Sequence, residues 1–349
     1  MSKPVFASTP MIPVSMQIRA IIYLTHQTES CMINDMKEPR TLKDAVVYFS
    51  DPDNCLNYLV KRRWPNGVHC PSCGSERVSF VPKRRVWQCK TRHPKCQFSV
   101  KVGTIFEDSP LGLDKWLPAV WMITNCKNGV SSWEIHRAIG VTQKTAWFML
   151  HRIRLAMHSE DGKLSGGEIE ADETFIGGLA RNMHKDKKAK ITGTGGAGKA
   201  IVMGLLDRNS SKVRLAHVPN TQGDTLHTHV RKYVKGGSYL FTDAFAGYHG
   251  LDREYIHQVI DHAESYVEGN VHTNSIENFW SLLKRGLKGT YVSVEPFHLF
   301  RYLDEQAFRY NNRKEMDDGD RFNAVVSQIT DKRLTYDHLT GKDASTTPL

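Results

Sequence analysis

EIEADETFIGG, residues 168–178, sets an acid, Asp172, inside an apolar run that reads as a β-strand. A carboxylate on an otherwise buried strand is costly unless it is paired or bound to a metal. A second strand-like run, SYLFTDAFAGY (238–248), places Asp243 at its end. A third stretch, HTNSIENFWSLLKRG (272–286), spaces Ile276, Phe279, Trp280, Leu282 and Leu283 as one face of an amphipathic helix. Glu277 and Lys284 are seven residues apart on it, nearly two turns, so they share a side about 10 Å apart along the axis. Between these stretches lie strand-like AIVMGLLDR and KVRLAHVP, a helical TLHTHVRKYV and a strand at Tyr255–Ile260. Strands first, then strand and helix alternating, indicate a mixed α/β domain over 165–315.

The helix at 274 has two readings. In the first, Asn274 or Ser275 is the N-cap, and Asn274 with Glu277 three residues on forms a capping box. In the second, Asp172, Asp243 and Glu277 converge on one pocket. Oxygen ligands suit Mg²⁺ or Mn²⁺, and two such ions held by carboxylates serve phosphoryl transfer. Lys284 is then placed to contact a phosphate of the substrate.

Ahead of this domain the chain is basic. The formal net charge is +10, an excess that favours polyanionic partners. Between Lys61 and Lys101 stand eleven Lys or Arg and one acid, Glu76, with Trp64, Phe80, Trp87 and Phe98 interleaved. The same region holds HCPSCGSE (69–76) and WQCKTRHPKCQFSV (87–100). Cys70 and Cys73 have the C-x2-C-G form of a zinc knuckle, and Cys89 is the third ligand. His93 or Cys96 is the fourth, since zinc accepts three cysteines and a histidine as readily as four cysteines. An odd cysteine count with this spacing suits a reduced cytosol rather than disulfides. Next, SSWEIHRAIGVTQKTAWFMLHRIR (131–154) predicts a helix-turn-helix: one helix to Ile139, a left-handed turn at Gly140, then a second helix capped by Thr142. Ile135, Ile139, Val141, Ala146, Leu150 and Ile153 supply its core. Gln143, Lys144, Thr145 and Arg152 are left for DNA.

Other classes fall away. The apolar stretch WLPAVWMITNC (116–126) is about half the length of a membrane-spanning helix. The N-terminal apolar patch is interrupted by Arg19, so no signal peptide is expected, and the natural start is placed at Met36. GTGGAGKA (193–200) mimics a phosphate-binding loop, but Ala200 stands where Ser or Thr would bind magnesium and no buried strand precedes it.

The segments EADETFIGG, LFTDAFAGY and HTNSIENFWSLLKRGLKGTY, in that order, resemble the core of DDE transposases from bacterial insertion sequences. QFSVKVGTIFEDSPLGLDKW and HLFRYLDEQAFRYNNR are similar to the branch that carries an N-terminal zinc ribbon. The resemblance covers roughly residues 42–313. It implies a multidomain α/β protein: an N-terminal zinc ribbon (42–105), a helix-turn-helix region (106–160) and a ribonuclease H-like catalytic domain (165–315). A weakly patterned N-terminus (1–41) and a polar tail (316–349) flank them. It further implies Mg²⁺ (or Mn²⁺) dependence, recognition of terminal inverted repeats and target DNA, and a homo-oligomeric synaptic complex in the bacterial cytoplasm at the nucleoid. Asp172 and Asp243 take the first two acidic positions. Glu277, with a basic residue seven positions on, matches the third; Asn274 is the alternative, because related members use asparagine there. The competing reading is a DNA-binding regulator with an inactive third domain.

Overall fold

The computed structural model describes residues 37–159, 162–164, 166–178, 185, 196–260 and 272–342. Residues 1–36, Met36 included, lie outside these, as do residues 193–195 of the glycine-rich loop. The chain divides into Met1–Glu38 and Pro39–Leu349, and the elements below belong to the second unit.

Local signals set the first elements. Thr41 caps α1 (Leu42–Phe49) in a reciprocal box with Asp44. Asp51 caps α2 (Pro52–Arg63), with Pro52 in its first turn. A small antiparallel sheet follows: β1 (Val78–Val81), β2 (Val86–Cys89) and β3 (Gln97–Phe98). Next come α3 (Leu113–Asn125), α4 (Ser132–Ile139) and α5 (Gln143–Met157). Gly140 ends α4 at φ +65°, and the Thr142 side chain accepts from the Thr145 N–H to start α5, as the sequence predicts.

These pieces share one core. Phe49, Tyr58, Trp64, Trp87, Phe98, Phe106, Trp116, Trp121 and Leu150 are buried together, so the expected boundary at 105/106 runs through the middle of a core. The tail expected from 316 is corrected as well. Asp318–Val326 forms α9, whose Phe322, Val325 and Val326 complete that core, and the short helix α10 (Tyr336–Leu339) buries Leu339. Trp64, Trp87 and Phe98 pack on one another with ring centroids 5.5–6.1 Å apart. Of the aromatics among the basic residues, only Phe80 remains at the surface.

The second half is a five-stranded sheet. β4 (Glu168–Ile176), β5 (Ala200–Asp207) and β6 (Lys212–Val218) form an antiparallel meander. After α6 (Gly223–Tyr233), β7 (Tyr239–Asp243) pairs parallel to β4 on its other side, and β8 (Ile256–Ile260) pairs parallel to β7. The order is β6-β5-β4-β7-β8. One face packs Ile169, Ala171, Met203 and Leu205 against Leu226 and Val230 of α6. The other packs Val202 and Leu206 against α7 (Asn274–Gly286) and α8 (Leu299–Asn311). α8 also sends Phe308 into the first core, so it belongs to both halves.

The closeness of α7 to the sheet depends on Gly204, which pairs with Asp172 across β4 and β5. A Cβ at 204 would lie 2.6 Å from the Trp280 ring and 2.9 Å from Ile276 Cδ1. Alanine normally stabilises a glycine position whose backbone it can adopt. Here Gly204→Ala is expected to cost about 1–3 kcal/mol through overpacking. Chemical denaturation checks this: the midpoint should fall with the slope unchanged, whereas an unchanged or higher midpoint would contradict the close fit.

Candidate functional site

Alternate residues of β4 reach one face of the sheet, and two acids there hold the same helix. Glu170, with 0 % exposure, accepts from the Ile276 N–H at 2.8 Å and from Arg208 Nε at 2.7 Å. It satisfies a first-turn donor of α7 that has no partner within the helix. Arg208 also reaches Glu168 at 3.2 Å and lies over the Phe241 ring, which completes the pairing of the buried acid. Two residues along the strand, Asp172 Oδ2 accepts from Trp280 Nε1 at 2.8 Å.

The expected Asn274–Glu277 capping box is not formed. Thr273 occupies the N-cap position, and its hydroxyl donates to Glu277 Oε1 at 3.0 Å. Asn274 is exposed in the first turn, one turn before Glu277, and Lys284 is half-buried two turns after it. The cap shifted because Glu170, distant in sequence, takes the Ile276 N–H that a local cap would otherwise bind.

β7 lies beside β4 in parallel register through Glu170↔Phe241. Two residues further along each strand stand Asp172 and Asp243. Asp243 Oδ1 accepts from the Phe245 N–H at 3.1 Å. Burial pushes the Asp172 carboxyl up from its ordinary 3.8 to about 6. The Trp280 and Glu173 N–H bonds oppose that shift, and the charges of Asp243 and Glu277 add to it. The acids of β7 and α7 thus both bear on Asp172 of β4. Glu173 points to the opposite face, where it accepts from the Tyr248 hydroxyl; burial raises it to about 7. Sequence reasoning missed Glu170 and Glu173. The spacing of Glu168, Glu170 and Asp172 at every second position is the signal that identifies acids sharing a face.

The cysteine knuckle assembles around a tight turn. Gly74, at φ +70°, donates its N–H to the Cys70 carbonyl at 2.8 Å. The ligand atoms of Cys70, Cys73, Cys89 and His93 all lie within 4.8 Å of one another, and Cys96 stands outside this group. His93 Nδ1 lies 2.6 Å from the Pro94 carbonyl and Nε2 lies 3.4 Å from Cys70 Sγ. A proton on Nδ1 held by that carbonyl leaves Nε2 as the ligand, an arrangement typical of metal-binding histidines. Three sulfurs and one imidazole match zinc.

The helix pair α4–α5 places its proposed DNA contacts unevenly. Lys144 is exposed and lies over the Tyr336 ring at 4.7 Å. Gln143 is half-buried and donates to Ser132 Oγ at 2.8 Å, and Thr145 is half-buried beside Thr142. Arg152 is corrected: it is 4 % exposed, donates to the Glu107 carbonyl and packs near Trp116 and Phe148. It faces the core because α5 is surrounded beyond its first turn. Trp133, to which the sequence pattern assigns no role, is 58 % exposed on α4. Among the described residues no helix is long and apolar enough to cross a membrane.

Comparison with known proteins agrees with both halves. Residues 163–311 match the family model of the ISXO2-like transposase domain, and residues 50–97 that of the transposase zinc-ribbon domain. A Halobacterium salinarum chain, described as an uncharacterized protein in transposable element ISH50, is 29 % identical over 254 residues, covering 68 % of this chain and 84 % of its own. An uncharacterized transposase-like protein of Haemophilus influenzae is 37 % identical over 102 residues, 29 % of this chain and 82 % of its own. A chain from the simian T-cell lymphotropic virus intasome in complex with PP2A regulatory subunit B56 gamma aligns at 13 % identity over 50 % of this chain and 63 % of its own. Its TM-score of 0.26 is too low to carry an argument.

Two outcomes check this geometry. Metal analysis of the purified chain is expected to find one zinc, kept in Cys96→Ser and lost in Cys73→Ser and His93→Ala; zinc lost with Cys96 would contradict the ligand set. For Asp172, the raised carboxyl means that ionisation costs the metal-free folded state. The cost is absent below the ordinary 3.8 and fully present above about 6. Asp172→Asn, which still accepts from Trp280, is therefore expected to stabilise the protein in chelator by about 1–3 kcal/mol at pH 7.5 and by little at pH 3.5. Thermal melts at the two pH values measure it; equal effects at both would show that the raised carboxyl is not the cause.

Proposed function

This chain belongs to the IS1595 family of insertion-sequence transposases, and from that premise we propose that it cuts DNA at the ends of its own element and joins the freed 3′ ends to target DNA. The observation that supports the catalytic assignment is that Asp172 and Asp243 stand at equivalent points of the neighbouring parallel strands β4 and β7, with Glu277 on the helix that Trp280 ties to Asp172. The donor set is carboxylate oxygen throughout, the chemistry that fits Mg²⁺ or Mn²⁺ and not zinc. When bound, such ions would supply an activated attacking oxygen and charge stabilisation at the leaving oxygen.

The residues around them have distinct parts. Trp280 and the Glu173 N–H orient the two oxygens of Asp172, and the Phe245 N–H orients one oxygen of Asp243. Glu277 is the third acid of choice over Asn274, because a carboxylate supplies a charge to the cation that an amide cannot. Lys284, on the same side of α7, is placed to meet a substrate phosphate. A ribonuclease H-like fold is supported by the sheet itself, an antiparallel meander extended by two parallel strands, with one acid midway along β4 and another at the end of the adjacent β7.

Recognition belongs to the first half. Zinc on Cys70, Cys73, Cys89 and His93 would fix the ribbon, and the exposed first turn of α5, with Lys144 and the half-buried Gln143 and Thr145, is offered to the terminal inverted repeats. Contacts from the basic ribbon to phosphates would make binding fall steeply with salt. Handling two ends together calls for more than one copy of the chain.

A DNA fragment carrying the gene's own flanks, incubated with Mg²⁺ or Mn²⁺, tests the proposal. Wild-type protein is expected to cut at the ends, Asp172→Asn and Glu277→Gln to abolish cutting, and Asn274→Ala to retain it. Cutting lost in Asn274→Ala but kept in Glu277→Gln would transfer the third role to Asn274. Binding with no cutting by wild type, across metals and flanks, would point to a DNA-binding regulator instead.

A further inference from the structure

The ladder between β4 and β7 ends at Glu170↔Phe241, so no backbone pairing joins the two strands at the level of Asp172 and Asp243. A side-chain link crosses there instead. Glu173 follows Asp172 directly and, as its neighbour on a strand, points to the opposite face. There it accepts a hydrogen bond from the Tyr248 hydroxyl. Tyr248 has its ring fully buried behind the sheet, among Ala171, Leu226 and Val230. It also closes the turn that starts at Asp243. The Phe245 N–H holds Asp243 Oδ1, and the Tyr248 N–H returns to the Phe245 carbonyl at 3.2 Å. Gly247 allows this turn to lie against α6: a Cβ there would meet Phe245 Cε1 at 2.6 Å and both Leu226 Cδ1 and the Thr221 carbonyl at 2.9 Å. The turn is therefore fixed to the rear of the sheet, and the Tyr248–Glu173 hydrogen bond ties it to β4.

We propose that Glu173 and Tyr248 are a positioning pair for Asp243, setting its height and separation relative to Asp172. The dipeptide Asp172–Glu173 then works as a bracket. Through Trp280 it holds the helix that carries Glu277, and through Tyr248 it holds the turn that carries Asp243. Neither member of the pair touches substrate or metal. The inference rests on the reading above that Asp172 and Asp243 bind a divalent ion.

Mn²⁺ binding to the zinc-loaded full chain, followed by electron paramagnetic resonance of free Mn²⁺, gives a readout independent of cutting, with Asp172→Asn as the blank. Tyr248→Phe keeps the ring and loses only the hydroxyl, and its Kd for Mn²⁺ is expected to rise about tenfold, as for other outer partners of metal ligands. Glu173→Ala should match it, and the double variant should be no worse than either, because both remove one interaction. Glu173→Gln, whose amide oxygen still accepts from the phenol, should stay within about twofold of wild type. A purely structural role would lower the melting temperature and leave Kd unmoved well below it. Wild-type Mn²⁺ affinity in folded Tyr248→Phe overturns the proposal, as does a loss in Glu173→Gln equal to that in Glu173→Ala. Absence of Asp172-dependent Mn²⁺ binding in the wild type would overturn the metal reading itself, and the pair's role with it.

Discussion

Two carboxylates on one strand, Glu170 and Asp172, hold one helix at Ile276 and Trp280, and the position of Glu277 follows from that attachment. A fully buried Glu170 is expensive to desolvate. It persists because Arg208 pairs with it and because the first turn of α7 presents an N–H that needs an acceptor. Gly204 removes the one Cβ that would push Trp280 away. The amphipathic pattern of α7 buries Ile276, Phe279, Trp280 and Leu283, but a stripe of that kind tolerates small rotations. Directed hydrogen bonds to Glu170 and Asp172 do not. They fix the rotation that leaves Glu277 on the side of Asp172 and Asp243.

A second buried polar cluster ties this site to the first half of the chain. Arg154, at the inner end of α5, pairs with Glu305 of α8 at 2.6 Å, and Arg309 and the Tyr291 hydroxyl bond to the same carboxylate. Two guanidinium groups around one buried acid leave the group ionised and demanding of geometry: Glu305 is held below the usual carboxylate range by Arg309 and Arg154 against a strong push from burial. α5 has 15 residues, about 22 Å of helix. Its first turn is the surface proposed to meet DNA, and its last turns are locked to the helix that packs beside α7. One helix thus joins the first half of the chain to the half that carries the five-stranded sheet.

What was legible in the sequence was local. The cysteine knuckle, the helix–Gly140–helix rhythm and the strands bearing Asp172 and Asp243 each announce themselves by a residue pattern within one short stretch of chain, and each is found where the spacing puts it. What was not legible depends on remote partners. Arg152 reads as a surface base until α3 and Glu107 cover it. Phe322, Val325 and Val326 sit among acidic residues and read as tail until they meet the first core. The cap of α7 moved from Asn274 to Thr273 because Glu170, about a hundred residues away in the chain, takes one of its donors. The choice between His93 and Cys96 turned on three-dimensional convergence, which spacing leaves open.

The measurement that tests the central claim most directly is anomalous diffraction from crystals of the chain grown with Mn²⁺. The account predicts manganese between Asp172, midway along β4, and Asp243, at the end of β7, with Glu277 of α7 completing the carboxylate set and the Trp280–Asp172 bond intact. Manganese held by the two aspartates with Glu277 turned away, or no manganese between the strands, would contradict it.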